Sequence, residues 1–177
     1  LKFLVLGIGN IMFADEGIGV HLCKLLEKNY KFTHKIHTLD FVDGGTLALQ
    51  LSYIIAEYDR MIVLDCIDAD EATIGNVFFF PYDAMPKKIN WSGSAHEVEM
   101  LQTLQYMELM GDLPKTQILA CVPKRIKPMS FKLSNEIINA SKTMEKTLLD
   151  YLAKEGFDYE KIADFTLQEL ADISYKN

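Results

Sequence analysis

The chain has 177 residues, 49% of them hydrophobic and 24% charged, with a net charge of −7. That length suffices for one domain with a substantial core, and the composition is ordinary for a soluble globular protein. The acidic balance, with no basic stripe, argues against nucleic acid as a partner, and no apolar run reaches the roughly 18 residues of a membrane span.

Residues 3–6 are an unbroken apolar run entering Gly7-Ile8-Gly9-Asn10, which reads as a strand buried on both faces. A chain that enters a strand at once leaves no room for a signal peptide, so the cytoplasm is the expected compartment. Asp15 and Glu16 stand where a helix should begin. That helix is predicted over residues 17–30, with Ile18, Leu22, Leu25 and Leu26 at helical spacing. Residues 35–42 alternate as a second strand nearer an edge, closed by Asp43-Gly44-Gly45-Thr46, and a helix is expected over 46–58. Residues 60–67 are a third buried strand carrying Asp65 near its end. Three strands with two intervening helices predict a mainly parallel sheet with right-handed crossovers.

The apolar run 74–80 follows too closely for another parallel crossover. It is predicted to pair antiparallel, as an edge strand stopped by Pro81. Residues 81–95 read as a loop ending at Ser92-Gly93-Ser94-Ala95-His96, able to fold over the sheet edge. A helix follows from about Glu97 to Met110, then a last strand over 116–122 closed by Pro123. Ser134 is a good N-cap for a long helix to Lys154, with Ile137, Met144, Leu148 and Leu152 inward and Gly156 as stop signal. Residues 1–156 thus read as a single α/β domain. Residues 157–177 read as a tail with one short helix, capped by Thr166 and Glu169, whose Phe165, Leu167 and Leu170 suggest docking. The three cysteines, Cys23, Cys66 and Cys121, lie far apart with no metal-type pairing and read as buried inert thiols.

The Gly-x-Gly after the first strand invites a dinucleotide reading, but the third glycine of that fingerprint is missing, since position 12 is Met12. Two carboxylates at the helix N-terminus repel a phosphate and suit a cation. In a doubly wound sheet of order 2-1-3, the carboxyl ends of the first and third strands frame the switch-point crevice, where ligands bind. Glu16 follows the first of these strands, Asp65 ends the other, and His96 closes the long loop. An Asp at the end of a buried strand is costly unless something pairs it. Two carboxylates and an imidazole suit a transition metal, with Ni, Zn, Fe and Mn all admitted. The plainer alternatives are a tight turn with solvated acids, an Asp65 that caps a helix, and a His96 that is an ordinary surface or core group. His96-Glu97-Val98-Glu99-Met100 opens like a zincin helix but lacks the second histidine at position 100. No Gly-x-Ser-x-Gly elbow is present, and no cysteine has an evident histidine partner.

Taken together, several segments resemble the NiFe-hydrogenase maturation endopeptidases over about residues 2–154. They are Gly7-Ile8-Gly9-Asn10 with Asp15-Glu16-Gly17-Ile18-Gly19, Asp43-Gly44-Gly45-Thr46, Asp65, Ser94-Ala95-His96-Glu97, and Pro123 with Pro128. The resemblance implies an α/β fold of the flavodoxin-like, phosphorylase/hydrolase-like kind. That is a three-layer sandwich around a mixed five-stranded sheet with one antiparallel strand, usually monomeric. It implies an aspartic-type endopeptidase with nickel held by Glu16, Asp65 and His96, and with Asp43 as a catalytic candidate. The implied substrate is a hydrogenase large-subunit precursor already carrying nickel. It is cut just after its last metal-binding Cys motif to release a short C-terminal peptide. Nickel then arrives with the substrate, and another divalent metal is able to substitute. A water activated at the metal would attack the scissile carbonyl, with Asp43 orienting the peptide or shuttling a proton. Three features depart from the family pattern: Cys66 where a small residue is usual, Ala120 in place of a Gly, and the basic Lys124, Arg125 and Lys127 beside the crevice. They bear on which precursor is recognised. The rival readings are a non-catalytic chaperone that inspects nickel loading and a small nucleotide- or flavin-binding module.

Overall fold

Strands that are apolar on both faces can only be satisfied in the middle of a sheet covered by helices on either side. The structure, a computed structural model, describes residues 1–90, 95–124 and 128–174, with Ala95 and His96 described by backbone alone. In chain order the elements are β1 (Lys2–Ile8), α1 (Ile18–Asn29), β2 (Tyr30–Thr33), β3 (Thr38–Gly45), α2 (Ser52–Ile55), β4 (Arg60–Cys66), β5 (Asp68–Ala69), β6 (Val77–Pro81), β7 (Ile89–Asn90), α3 (Ala95–Met110), β8 (Lys115–Cys121), α4 (Asn135–Lys154), β9 (Asp158–Lys161) and α5 (Leu167–Ser174). Five of the strands form one sheet of order β3-β1-β4-β8-β6. The first four are parallel, and β6 pairs antiparallel with β8 at the edge.

Strand alternation divides the core into two layers. Phe3, Val5, Ile62 and Leu64 face α1, α4 and α5, meeting Ile18, Leu22, Met144 and Leu148. Leu4, Leu6, Met61 and Val63 face the other way, toward Ile55, Met100, Leu104 and Met107. The fold is the expected three-layer α/β sandwich with a single antiparallel strand in a mixed five-stranded sheet.

Local differences have local causes. The helix expected over 46–58 shrinks to a 3-10 turn at Leu49–Leu51 and the four-residue α2. Gly45 in the left-handed region (φ 53°) and a turn from Leu47 N–H to the Gly44 carbonyl delay its start. The second strand is displaced to begin at Thr38, because the His34 ring accepts hydrogen bonds from the amides of Ile36 and His37 and closes a turn there. The edge strand starts at Val77 rather than at residue 74. Before it, Gly75 (φ 85°) and a turn from Asn76 N–H to the Thr73 carbonyl break the extended backbone. Tyr30, expected to end the first helix, instead opens the strand Tyr30–Thr33, because the tail returns to pair with it through β9. The tail otherwise docks as its apolar residues suggest. Leu167 and Leu170, together with Phe157, are buried in the α1/α4 layer; Phe165 instead leaves its ring exposed and is held by its backbone, to which the Asn29 side chain both donates and accepts. Thr166 and Glu169 cap α5 reciprocally.

One contact places the first helix. Gly19 sits so close to the carbonyl oxygens of Ile8 and Leu64 that a Cβ there would overlap both, and Gly7 faces it across the same gap. We therefore expect Gly19→Ala to destabilise the fold by about 3 kcal/mol or more, since overpacking against two backbone carbonyls outweighs the roughly 1 kcal/mol of helix propensity that Ala adds. Urea unfolding monitored by circular dichroism checks this; a variant as stable as the parent would contradict the packing described.

Candidate metal centre

Asp15 and Glu16 lie in a 3-10 turn, Ala14–Gly17, that leads into α1, and both are buried. The turn is held from outside: Ala14 N–H donates to the Ser130 carbonyl at 2.7 Å, and Ser130 N–H to that of Met12 at 3.0 Å. The two acids have different duties. Asp15 accepts from Ser134 N–H (2.8 Å), the Ser134 hydroxyl (2.7 Å) and Lys124 N–H (3.0 Å). It thereby ties the segment after β8 and the start of α4 to the turn, while Ser134 caps α4 by accepting from Ile137 N–H. Glu16 is the next residue along, in a turn that packs on β4.

Asp65 and Cys66 end β4, beside Ala120 and Cys121 of β8, and both are fully buried. Asp65 Oδ1 accepts from Cys66 N–H at 2.8 Å. The Cys66 thiol donates to Glu97 Oε1 at 3.6 Å, and the ligand atoms of Asp65, Cys66 and Glu97 lie within 4.8 Å of one another. Burial pushes the Cys66 thiol well above its ordinary value, and the nearby charges of Asp65, Glu97 and Glu16 push the same way. Burial also raises the Cys121 thiol, with Asp15 and Asp65 adding to the effect. Carboxylates gathered at a dry sheet edge offer hard oxygen donors to a divalent cation.

Asp43 stands at the end of β3, opposite Gly7 of β1 and hence at the same carboxyl edge. It is exposed, accepts from Gly45 N–H at 3.0 Å, and pairs with Lys24 at 3.3 Å. His96 is the second residue of α3, which begins two residues earlier than expected, so His96 opens the helix rather than closing the loop. Its side chain lies outside the described residues, as do loop residues 91–94 and, in the basic segment, 125–127. Lys124 is described, and its ammonium pairs with Glu136 at 2.8 Å.

Sequence reasoning passed over Glu97. The signal was there: Glu97, Met100, Leu104 and Met107 fall on one helical stripe, and all four are buried. A carboxylate on an apolar stripe has to meet something polar. The role of Asp15 could not be found that way, because its partners are more than a hundred residues distant.

Fold and edge together define a class, a doubly wound α/β protein with a carboxylate-rich crevice at the switch point. The comparisons narrow it. A family model described as hydrogenase maturation protease (HycI) matches residues 20–151. Protein HydD of Wolinella succinogenes is 47% identical over 158 residues, spanning 89% of this chain and 99% of its own. The hydrogenase 2 maturation protease of Escherichia coli is 28% identical, over 72% of this chain and 77% of its own. Among solved structures, the hydrogenase maturating endopeptidase HybD from E. coli matches with a TM-score of 0.79 at 24% identity, covering 91% of this chain and 98% of that one. The chain belongs to the hydrogenase maturation protease family and is a hydrolase of the endopeptidase class. No helix among the described residues is long and apolar enough to cross a membrane.

Beneath the turn that carries Glu16, the His21 ring fills the space that Gly17 leaves open. It is fully buried, and among the described residues neither ring nitrogen has a hydrogen-bond partner. Burial, helped by the Lys24 charge, lowers its pKa to about 4. The folded protein therefore holds a neutral imidazole, whereas the unfolded chain takes up a proton below about pH 6.5. Stability contributed by this group is complete above pH 6.5 and is lost as pH falls toward about 4, by up to about 3 kcal/mol. Urea unfolding at pH 7, 5.5 and 4.5 should show this acid slope in the parent and a flatter one in His21→Leu; parallel slopes would assign the acid sensitivity elsewhere.

Proposed function

We propose that this protein is a nickel-dependent endopeptidase that removes the C-terminal extension of a NiFe-hydrogenase large-subunit precursor after nickel insertion, acting as a monomer in the cytoplasm. The observation that carries the reading is the gathering of buried carboxylates at the carboxyl edge of β4, beneath the turn bearing Glu16, in a member of the maturation protease family. A relative named for hydrogenase 2 maturation supports the substrate class.

In this reading nickel is cargo of the substrate. Glu16, Asp65 and His96 would hold it, two carboxylates and an imidazole being a donor set suited to a borderline divalent ion. Bound there, the ion supplies Lewis acidity toward a nearby carbonyl. Glu16 and Asp65 contribute fixed negative charge on either side of the β1–β4 gap. Asp15 contributes no donor, since its oxygens are committed to Ser134 and Lys124. Asp43, exposed at the end of β3, would orient the peptide or carry a proton on its carboxylate.

The test is incubation with nickel-loaded and nickel-free precursor, following the released C-terminal peptide by mass. Cleavage is expected for the loaded form alone. It should fall at least about 100-fold in Glu16→Ala, Asp65→Ala and His96→Ala, and more mildly in Asp43→Asn. Equal cleavage of both forms overturns the nickel gate. Binding of the loaded precursor without release of any peptide makes the protein a chaperone instead.

A further inference from the structure

Neighbouring residues of a strand point to opposite faces of the sheet. Leu64 and Cys66 belong to the α1/α4 layer, whereas Met61 and Val63 belong to the α3 layer, so Asp65 points toward α3. A carboxylate within reach of both Asp65 and Cys66 therefore has to lie beyond the strand tip, over the crevice rather than in either core. Glu97 is that carboxylate. An acid in the first turn of a helix ordinarily faces solvent and owes its place to the helix dipole. Glu97 is instead 5% exposed and heads the inward stripe completed by Met100, Leu104 and Met107.

We infer that Glu97 is a further ligand of the metal centre, delivered by α3 over the end of β4, and that Cys66 is the positioning residue that holds its carboxylate there. The inference rests on the nickel reading above and adds to its ligand set. Oxygen donors stand roughly 2.1 Å from a divalent ion, so two of them on one ion lie within roughly 4 Å of each other. The 4.8 Å limit on the Asp65, Cys66 and Glu97 ligand atoms is close to that spacing, and small side-chain rotations close it. The Cys66 thiol donates to Oε1, which draws the Glu97 carboxylate toward the end of β4. This is the outer-shell orientation that metal-ligating carboxylates commonly receive.

Calorimetric titration of the purified full chain with Ni(II) alone tests this. The variants are Asp65→Asn, Glu97→Gln, Cys66→Ala, the Glu97→Gln/Cys66→Ala pair, and Glu99→Gln on the exposed side of α3. Asp65→Asn and Glu97→Gln should each weaken Ni(II) binding by about tenfold or more, and Cys66→Ala by about threefold. Cys66→Ala should add nothing once Glu97 is changed, and Glu99→Gln should bind like the parent. Parental affinity in Glu97→Gln, with Asp65→Asn weakened, overturns the role of Glu97 and leaves the nickel reading standing. Additive losses in the pair overturn the positioning role of Cys66. A parent that takes up no Ni(II) overturns this assignment and leaves the reading of nickel as the precursor's cargo standing. If Glu97→Gln fails to fold by circular dichroism, Glu97→Asp is read in its place: it keeps the charge on a shorter arm, weakened binding supports the assignment, and parental affinity overturns it.

Discussion

The geometry of the crevice depends on how closely one helix can approach two strands. Gly19 rests against the carbonyl oxygens of Ile8 and Leu64, at the point where β1 and β4 run out of paired backbone. A side chain at that position would lift α1 from the sheet. With the helix seated, the 3-10 turn immediately before it packs on β4, and Glu16 is buried in that turn. The glycines of this region therefore set a distance rather than a flexibility. They allow a helix, a turn and a strand end to converge.

Convergence of that kind brings negative charge into a buried place, which is expensive unless each carboxylate is given work. The chain divides the work by position. Asp15 is fully buried and spends its oxygens on two amides and a hydroxyl, so its charge is absorbed by hydrogen bonds that also join the segment after β8 to the start of α4. Asp43, at the edge of the sheet, keeps contact with water and with Lys24. The acids between them, Glu16, Asp65 and Glu97, are buried, and the proposed divalent cation would balance part of their charge. Directly below, the neutral His21 ring keeps a further charge out of the core layer that supports this turn.

Most of the architecture was legible because it follows from short-range pattern. Four uninterrupted apolar runs, their spacing and a gap too short for a crossover are enough to specify a parallel sheet with one reversed edge strand. The Ser134 cap and the Thr166–Glu169 box were readable for the same reason, each being complete within four residues. What escaped was set at long range. The β2–β9 pair joins segments about 130 residues apart, and nothing within Tyr30–Thr33 foretells its partner. The candidate site divides along the same line. Glu16 and Asp65 were visible because strand order alone brings their elements together. Glu97 was passed over although helical spacing puts it on the buried Met100–Leu104 stripe.

That helical constraint gives physical sense to an oddity of composition. Cys66 stands where the family resemblance leads one to expect a small residue, in a position too buried for redox or nucleophilic work and with a thiol held firmly protonated by burial and by the acids around it. A protonated thiol is a hydrogen-bond donor, and the acceptor within its reach is Glu97. An alanine or glycine at residue 66 offers the carboxylate nothing from β4, and a serine would desolvate a stronger dipole at the boundary between core and crevice. Cysteine is apolar enough to belong to the α1/α4 layer and still able to donate upward. Cys66 and Glu97 are therefore best understood as one feature distributed over two elements. A change at either position alters what the other presents to the crevice.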